Sequence, residues 1–279
     1  MAGNFTVGMR RRTGTTALNQ MKNITFGNSG YDVQALLFIN FILSIGGTFT
    51  DVQRGAINTL VLDLKGIGPN NSTVDFWTSK ITRFYPFVGG TALMHAIDLR
   101  NPGQNGIEFY NSITHDSVGV NFSGSNFALP GVNGTSDIPQ NSCHFGIYFH
   151  SDVVGYNYGS IVGGSRTHIN PSFYCLNDNE IGTNSLTSSV KGHHVISRTS
   201  STAKAAYRNG AANGTSTASS VTPGESVLYC GGINLFGQFA LGNANVWCCF
   251  HIGTGLSSGD ASTLYTLVQA YQTSLSRNI

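Results

Sequence analysis

From about Glu108 to Ile252 the sequence changes to short runs in which apolar side chains recur at every second position, and this period constrains the fold of the chain more than any other feature. In Cys143-His144-Phe145-Gly146-Ile147-Tyr148-Phe149-His150, the residues Cys143, Phe145, Ile147 and Phe149 fall on one face of a strand. Further strands are expected near 116–122, 158–163, 190–198, 203–208, 226–231 and 245–252. Asn133-Gly134, Asn209-Gly210 and Asn213-Gly214 lie between such runs, and Asn-Gly suits the positive φ of tight reversals. Many short strands with such turns predict a β-sandwich or jelly roll. Composition agrees: there are 35 glycines, and only 10% of residues are charged, against about 25% in ordinary soluble domains.

The period changes to helical on both sides. Residues 1–30 have no period and read as an extended arm. In 31–104, Val33, Leu36, Leu37, Asn40, Phe41 and Ser44 fall at helical spacing, closed by Gly46-Gly47. Thr50-Asp51-Val52-Gln53 forms a capping box, followed by the stripe Val52, Ala56, Leu60, Val61 and Leu64, with Gly66 as the stop. A third short helix is expected from about Val74 to Arg83, before Tyr85-Pro86. At the far end Ser257-Ser258-Gly259-Asp260 is a second capping box, and Leu264, Leu267, Val268, Tyr271 and Leu275 form the stripe of a helix that returns to the body. The expected organisation is an arm (1–30), a helical region (31–104), and a sandwich with a C-terminal helix (105–279).

A formal net charge of +2 lacks the concentrated basic stripe of nucleic-acid binders. The one basic run, Arg10-Arg11-Arg12, reads either as a solvated terminus or as a docking arm for an acidic partner. Five cysteines (Cys143, Cys175, Cys230, Cys248 and Cys249) without a Cys-x-x-Cys pair support neither a disulfide scaffold nor structural zinc. By strand parity Cys248 shares a face with Val246, Phe250 and Ile252, as a small core hydrophobe. A reducing cytoplasm is the expected folding compartment. No secretion signal and no bilayer-spanning run is seen, so no membrane is implied. An adhesin-like surface without a signal suggests export by lysis within a virus particle.

Ile81-x-x-Phe84-Tyr85-Pro86-Phe87-Val88-Gly89-Gly90-Thr91-Ala92, Asp98-Leu99-Arg100-Asn101-Pro102, Ile252-Gly253-Thr254-Gly255-Leu256-Ser257 and Tyr265-x-x-Val268-Gln269-Ala270-Tyr271-Gln272 occur in that order. This series resembles structural proteins of phages and prophages of Bacteroidetes-type hosts, which carry a laminin-G-like or concanavalin-like jelly roll between two helical flanks. Ser197-Arg198-Thr199-Ser200 with Ala206-Tyr207-Arg208-Asn209-Gly210 is similar to a laminin-G-like hairpin, read as an exposed strand, a central aromatic and a turn. The resemblance covers about residues 50–279. It implies a concanavalin/laminin-G-like sandwich in a virion structural protein (capsid decoration, head fibre or tail component), assembled in the host cytoplasm with other virion proteins and with copies of itself.

Chemistry finds little support. A glycoside hydrolase on such a sandwich needs two carboxyl groups about 5–9.5 Å apart. The best pair, Asp178 and Glu180, reads as a loop and lacks a Glu-x-Asp-x-x-Glu signature; a turn or a weak calcium site are the other readings. His193 and His194 point to opposite faces of a strand, and His144 and His150 lie about 20 Å apart, so neither pair chelates one metal. No catalytic residue, metal or cofactor is expected. Binding of a host-surface glycan is the alternative function, with Tyr156, Asn157, Tyr158, Tyr174, Tyr207 and Asn209 offering rings and amides. The same aromatics would equally serve packing between sheets or a subunit contact.

Overall fold

The computed structural model describes residues 30–71, 73–162, 165–170, 173–178, 190–225 and 227–279, without the side chains of Val162, Phe173 and Tyr174. Asp32–Ile279 form one compact unit. The expected arm, with Arg10, Arg11 and Arg12, lies outside the described residues.

The helical flank begins with α1 (Val33–Ser44) and α2 (Asp51–Leu64). Asp32 caps α1 by accepting from the Gln34 amide at 2.8 Å, and its carboxylate also pairs with Lys65 Nζ at 2.7 Å, so the end of α2 is tied to the start of α1. The Thr50–Gln53 capping box is formed, and Gly66 ends α2 at φ 71°. Val52 departs from the expected stripe and is 63% exposed.

The third expected helix is cut short. Phe76–Ser79 makes one turn (α3), and Ile81–Tyr85 becomes a strand, β1, antiparallel to a strand near the C-terminus. The β-branched pair Ile81-Thr82 and the aromatic pair Phe84-Tyr85 favour an extended chain once a partner edge is present. That partner lies some 170 positions away, where no local period reveals it. The segment 31–104 thus supplies a strand of the sandwich as well as helices, and a further one-turn helix, α4 (Ala92–His95).

The remaining described strands are β2 (Glu108–Tyr110), β3 (Thr114–His115), β4 (Val120–Asn121), β5 (Phe127–Leu129), β6 (Cys143–Phe149), β7 (Tyr158–Val162), β8 (Ser165–Asn170), β9 (Phe173–Asp178), β10 (Gly192–Ser200), β11 (Ala203–Arg208), β12 (Ala211–Ser216), β13 (Tyr229–Cys230), β14 (Ile233–Leu235), β15 (Gln238–Ala240) and β16 (Val246–Gly253). Sheet A runs β12-β11-β10-β6-β16-β4-β3, with β1 also on β16. Sheet B runs β15-β14-β7-β13-β5-β2, with β8 on β7 and β9 on β8. The fold is a mainly β sandwich with helical flanks.

Between the sheets Phe145, Ile147 and Phe149 of β6 and Trp247, Phe250 and Ile252 of β16 meet Tyr158, Ile169 and Leu176 of sheet B. Each large apolar side chain buried this way contributes about 1.5–3 kcal/mol. A register shift between Trp247 and Cys249 lets Trp247 and Phe250 both enter this core. Simple alternation fails there: Cys248, expected on the face of Phe250, is buried but stands outside that cluster. All five cysteines are free and buried.

Of the three expected Asn-Gly reversals, one is a hairpin turn. Asn209 and Gly210 (φ 49° and 75°) join β11 to β12. Asn133 instead caps a one-turn helix, α5 (Gly134–Asp137), by accepting from the Thr135 amide. Asn213 is the extra residue of a bulge within β12, where Ala206 and Tyr207 face Gly214 and Ala212.

The C-terminal helix α6 (Ser258–Ser274), with its Ser257–Asp260 capping box formed, contacts α2, β10 and β12. Beyond it Arg277, 2% exposed, donates from Nη1 to the carbonyls of Phe87 and Val118 and from Nη2 to those of Pro86 and Cys248. It thereby joins the end of the chain to the segment after β1, the loop before β4, and β16. Arg277→Ala would leave four carbonyls without this donor, and at about 1–3 kcal/mol for each buried group left unsatisfied a clear fall in melting temperature by calorimetry is expected.

Candidate functional site

Register brings His144 (β6), His193 (β10) and His251 (β16) to the face of sheet A that looks away from the sandwich core. Gly146, between the last two, makes room: a Cβ there would lie 2.1 Å from the His251 ring. Phe84 stacks on His251 at 5.6 Å and Tyr265 of α6 on His193 at 6.4 Å.

The three rings form a chain whose protons can be assigned. His144 Nδ1 lies 2.6 Å from the Thr254 carbonyl, which only accepts, so this nitrogen carries hydrogen. His144 Nε2 is then the acceptor, and His251 Nδ1 donates to it at 3.0 Å. His251 Nε2 in turn accepts from His193 Nε2 at 2.8 Å. At the end, the buried Nδ1 of His193 keeps a lone pair without a partner. Burial holds His144 down to about 4 and His193 to about 3, with neighbouring imidazoles adding to the shift of His193; His251 is held well below its ordinary value for the same reasons. These are three neutral rings in series. They do not converge on a point, because His251 spends its two nitrogens on different partners. Among the described residues no group of three or more His, Cys, Asp or Glu could hold a metal ion.

A second pair behaves alike. The Gly90 amide donates to His95 Nε2, so His95 Nδ1 carries the hydrogen that bonds His115 Nδ1 at 3.0 Å. Burial lowers both, His115 to about 4.

Asp178 sits in no catalytic pair. Its carboxylate lies 2.5 Å from Arg198 Nη2 and 2.8 Å from Lys204 Nζ, and all three are nearly inaccessible. Arg198 and Lys204 are cross-strand partners on β10 and β11, so this ion triad fastens β9 of sheet B to sheet A. Arg198 also donates to the carbonyls of Leu176, Ser200, Ser201 and Ala218. The strand expected to be exposed at Arg198 is therefore an interior one. Glu180 lies outside the described residues.

The six residues expected to bind ligand do not gather into one site. Tyr158 is fully buried in the sandwich core and contacts Phe145 and Phe250, because its parity on β7 turns it inward. Asn157, also fully buried, accepts from Asn243 Nδ2 and Asn245 Nδ2 and donates to the Gly155 carbonyl, bracing three loops. Neither is available to a ligand. Tyr156 packs half-buried, edge-on to His168. Asn209 is exposed, but its amide oxygen accepts from the His193 amide at 2.8 Å, which makes it a turn residue. The side chain of Tyr174 lies outside the described residues.

Tyr207 lines a concavity. A groove of about 460 Å³ opens between the β10–β12 hairpins and the segment 256–258 that leads into α6. Its walls carry the hydroxyls of Thr199, Thr202, Thr215, Thr217 and Ser258. Sequence reasoning found Tyr207 but not the groove, since the wall at 256–258 is distant in sequence.

A second exposed surface escaped sequence reasoning altogether. Phe127 stacks with Tyr110, Tyr229 and Phe239 at 4.9, 5.0 and 4.9 Å on sheet B, and Tyr110 donates from its hydroxyl to Glu108 at 2.6 Å. Beside Phe239 the two-residue turn Phe236-Gly237 has both φ positive, at 50° and 89°, and Phe236 is 72% exposed. A bulky residue in that conformation costs about 1–3 kcal/mol, and Asn-Gly is the pair such a turn favours. Phe236→Asn is expected to raise the melting temperature by roughly 2–4 °C per kcal/mol recovered, read by calorimetry; a lower value would show that the ring packs.

No protein-family model matches the chain. No curated protein matches it. Solved structures do resemble it. A Trypanosoma rangeli sialidase in complex with 2,3-difluorosialic acid aligns at 12% identity and a TM-score of 0.50, over 77% of this chain and 37% of that one. Domain 4 of AbnA, a GH43 extracellular arabinanase from Geobacillus stearothermophilus in complex with arabinotriose, aligns at 13% identity over 67% of this chain and 98% of that one, with a TM-score of 0.46. The binding domain of botulinum neurotoxin serotype D aligns at 12% identity, TM-score 0.44, over 67% of this chain and 51% of that one. This chain thus spans little more than a third of the sialidase and half of the toxin domain. At such identities a likeness bears on fold alone, and that to the sialidase, at a TM-score of 0.50, agrees with a β-sandwich.

Proposed function

We propose that this chain is a non-enzymatic structural protein of a tailed-phage particle, a capsid decoration, head fibre or tail component. It is attached to other virion proteins through its N-terminal region, with Arg10, Arg11 and Arg12 in docking, and it displays the sandwich in multiple copies. One observation carries the non-enzymatic part: among the described residues, the buried histidine chain and the buried Asp178 carboxylate are engaged in the scaffold. His144, His193 and His251 bond each other, Asp178 closes two sheets, and the open groove is walled by neutral hydroxyls. The particle reading is supported by the resemblance motifs, which meet physically. The Ile81 motif pairs with the Ile252 motif as β1 on β16, Asp98 accepts from the Phe84 amide, and Tyr271 donates to the Pro86 carbonyl. Near-neutral subunits also crowd on a shell without mutual repulsion.

Mass spectrometry of density-purified particles from producing cells tests it. The full chain is expected in the particle band, in stoichiometric amount with other particle proteins. Recovery in the soluble fraction alone would overturn the assignment.

A further inference from the structure

We propose that the groove over Tyr207 binds an uncharged saccharide. This rests on the reading of the sandwich as a displayed recognition surface and names what that surface recognises.

Tyr207 carries the argument. The residue is only 6% exposed and lines the groove, and among the described residues its hydroxyl makes no hydrogen bond. A tyrosine so nearly enclosed ordinarily finds a partner for its hydroxyl. Here the hydroxyl can be reached from the groove, where water meets it or, in its place, a ligand lying in the groove. Burial, and the Asp260 carboxylate after it, raise the phenol above its ordinary value. The group is therefore a neutral O–H that can donate and accept.

The walls define the chemical class. Threonine and serine hydroxyls each donate one hydrogen and accept others, which matches a ligand made of hydroxyls. Ala203, Ala205 and Leu256 add apolar surface suited to the C–H face of a sugar ring. The groove also touches Lys204, but that ammonium is committed to Asp178 at 2.8 Å. Among the described residues no uncommitted cation lines the groove to meet a sialic or uronic acid carboxylate, and burying such a charge unpaired is costly. The volume of about 460 Å³ lies within the ~300–1,000 Å³ of small-molecule sites.

The test uses the full chain. An array of neutral oligosaccharides (glucans, mannans, galactans and arabinans of two to four residues), with sialylated and uronic-acid counterparts, is followed by calorimetric titration with the best neutral hit. Binding of a neutral oligosaccharide is expected at Kd below about 1 mM. Tyr207→Phe deletes only the unpartnered hydroxyl, so it should leave the melting temperature unchanged and weaken binding roughly tenfold. Thr217→Trp, at an exposed position on the rim, should block binding in a folded protein. Silence to every neutral probe, binding of acidic sugars only, or full affinity in both variants would overturn the proposal. Sugar binding by a chain absent from particles would sink the virion assignment and leave the groove standing; a particle-borne chain silent on the array would do the reverse.

Discussion

Asp178→Ala is expected to destabilise the protein by about 3–5 kcal/mol, the usual result of removing one partner from a buried ion group. The reason is the two cations left behind. Arg198 and Lys204 are almost inaccessible on the inner face of sheet A, and the Asp178 carboxylate is the anion that compensates both. Arg198 keeps four carbonyl partners, which absorb its hydrogens but not its charge. In urea the midpoint should fall with an unchanged slope, since the surface exposed on unfolding is the same. At roughly 2–4 °C per kcal/mol for a domain of this size, the melting temperature should drop by about 6–20 °C. Adding Lys204→Met removes one stranded charge, so the double variant should recover part of the loss, a coupling that a mutant cycle reads directly. An unchanged midpoint for Asp178→Ala would mean that the triad does not close the sheets.

Stability should also fall steeply with acid, beginning at pH values where most proteins are at their most stable. An imidazole in the unfolded chain takes up its proton near 6.5. In the folded protein burial holds His144 down to about 4, and His168, His193 and His194 to about 3. Below 6.5 the unfolded chain therefore binds more protons than the folded one. The stabilisation is complete above 6.5 and is lost progressively as pH falls, until the folded rings themselves protonate near 3–4. At pH 5 each such ring removes about 2 kcal/mol relative to neutral pH. Counting the His144–His251–His193 chain once, with His168 and His194, the loss is about 6 kcal/mol, a large part of a typical 5–15 kcal/mol. Urea midpoints measured by circular dichroism at successive pH values should decline from pH 6.5 downward. A profile flat to pH 4 would show that these rings are not held neutral.

The helices and the central strands were legible because their signals are local. Both capping boxes, the Gly66 stop, and the alternation through β6, β10 and β11 stand in the sequence as they stand in the fold. The first residues of β1, Ile81 to Arg83, fall in the expected third helix because their partner β16 is remote. The bulges at Asn213 and near Cys248 reset the parity on which side-chain direction was inferred. The candidate site was less legible still. Asn157, Tyr158 and Tyr207 look alike in sequence, as polar or aromatic residues on or beside short strands; only the direction of β7 and the packing of segment 256–258 separate core from groove. Two features of the sequence bear on the buried charges and the histidine chain. Arg198 shares parity with Ile196 in β10, so an inward Ile196 demands an inward arginine and a buried acid to meet it. Gly146 interrupts an otherwise bulky strand, and a strand glycine often marks the close approach of another group, here the His251 ring.

Long-range 1H–15N NMR of the imidazole nitrogens tests most directly whether the groups capable of chemistry are locked into the scaffold. From pH 7 down to about pH 5, His144, His251 and His95 should remain neutral with hydrogen on Nδ1, and His193 neutral with hydrogen on Nε2. A ring of this set titrating near 6.5, or His251 and His193 with the opposite tautomers, would contradict a purely structural histidine chain and return catalysis to consideration.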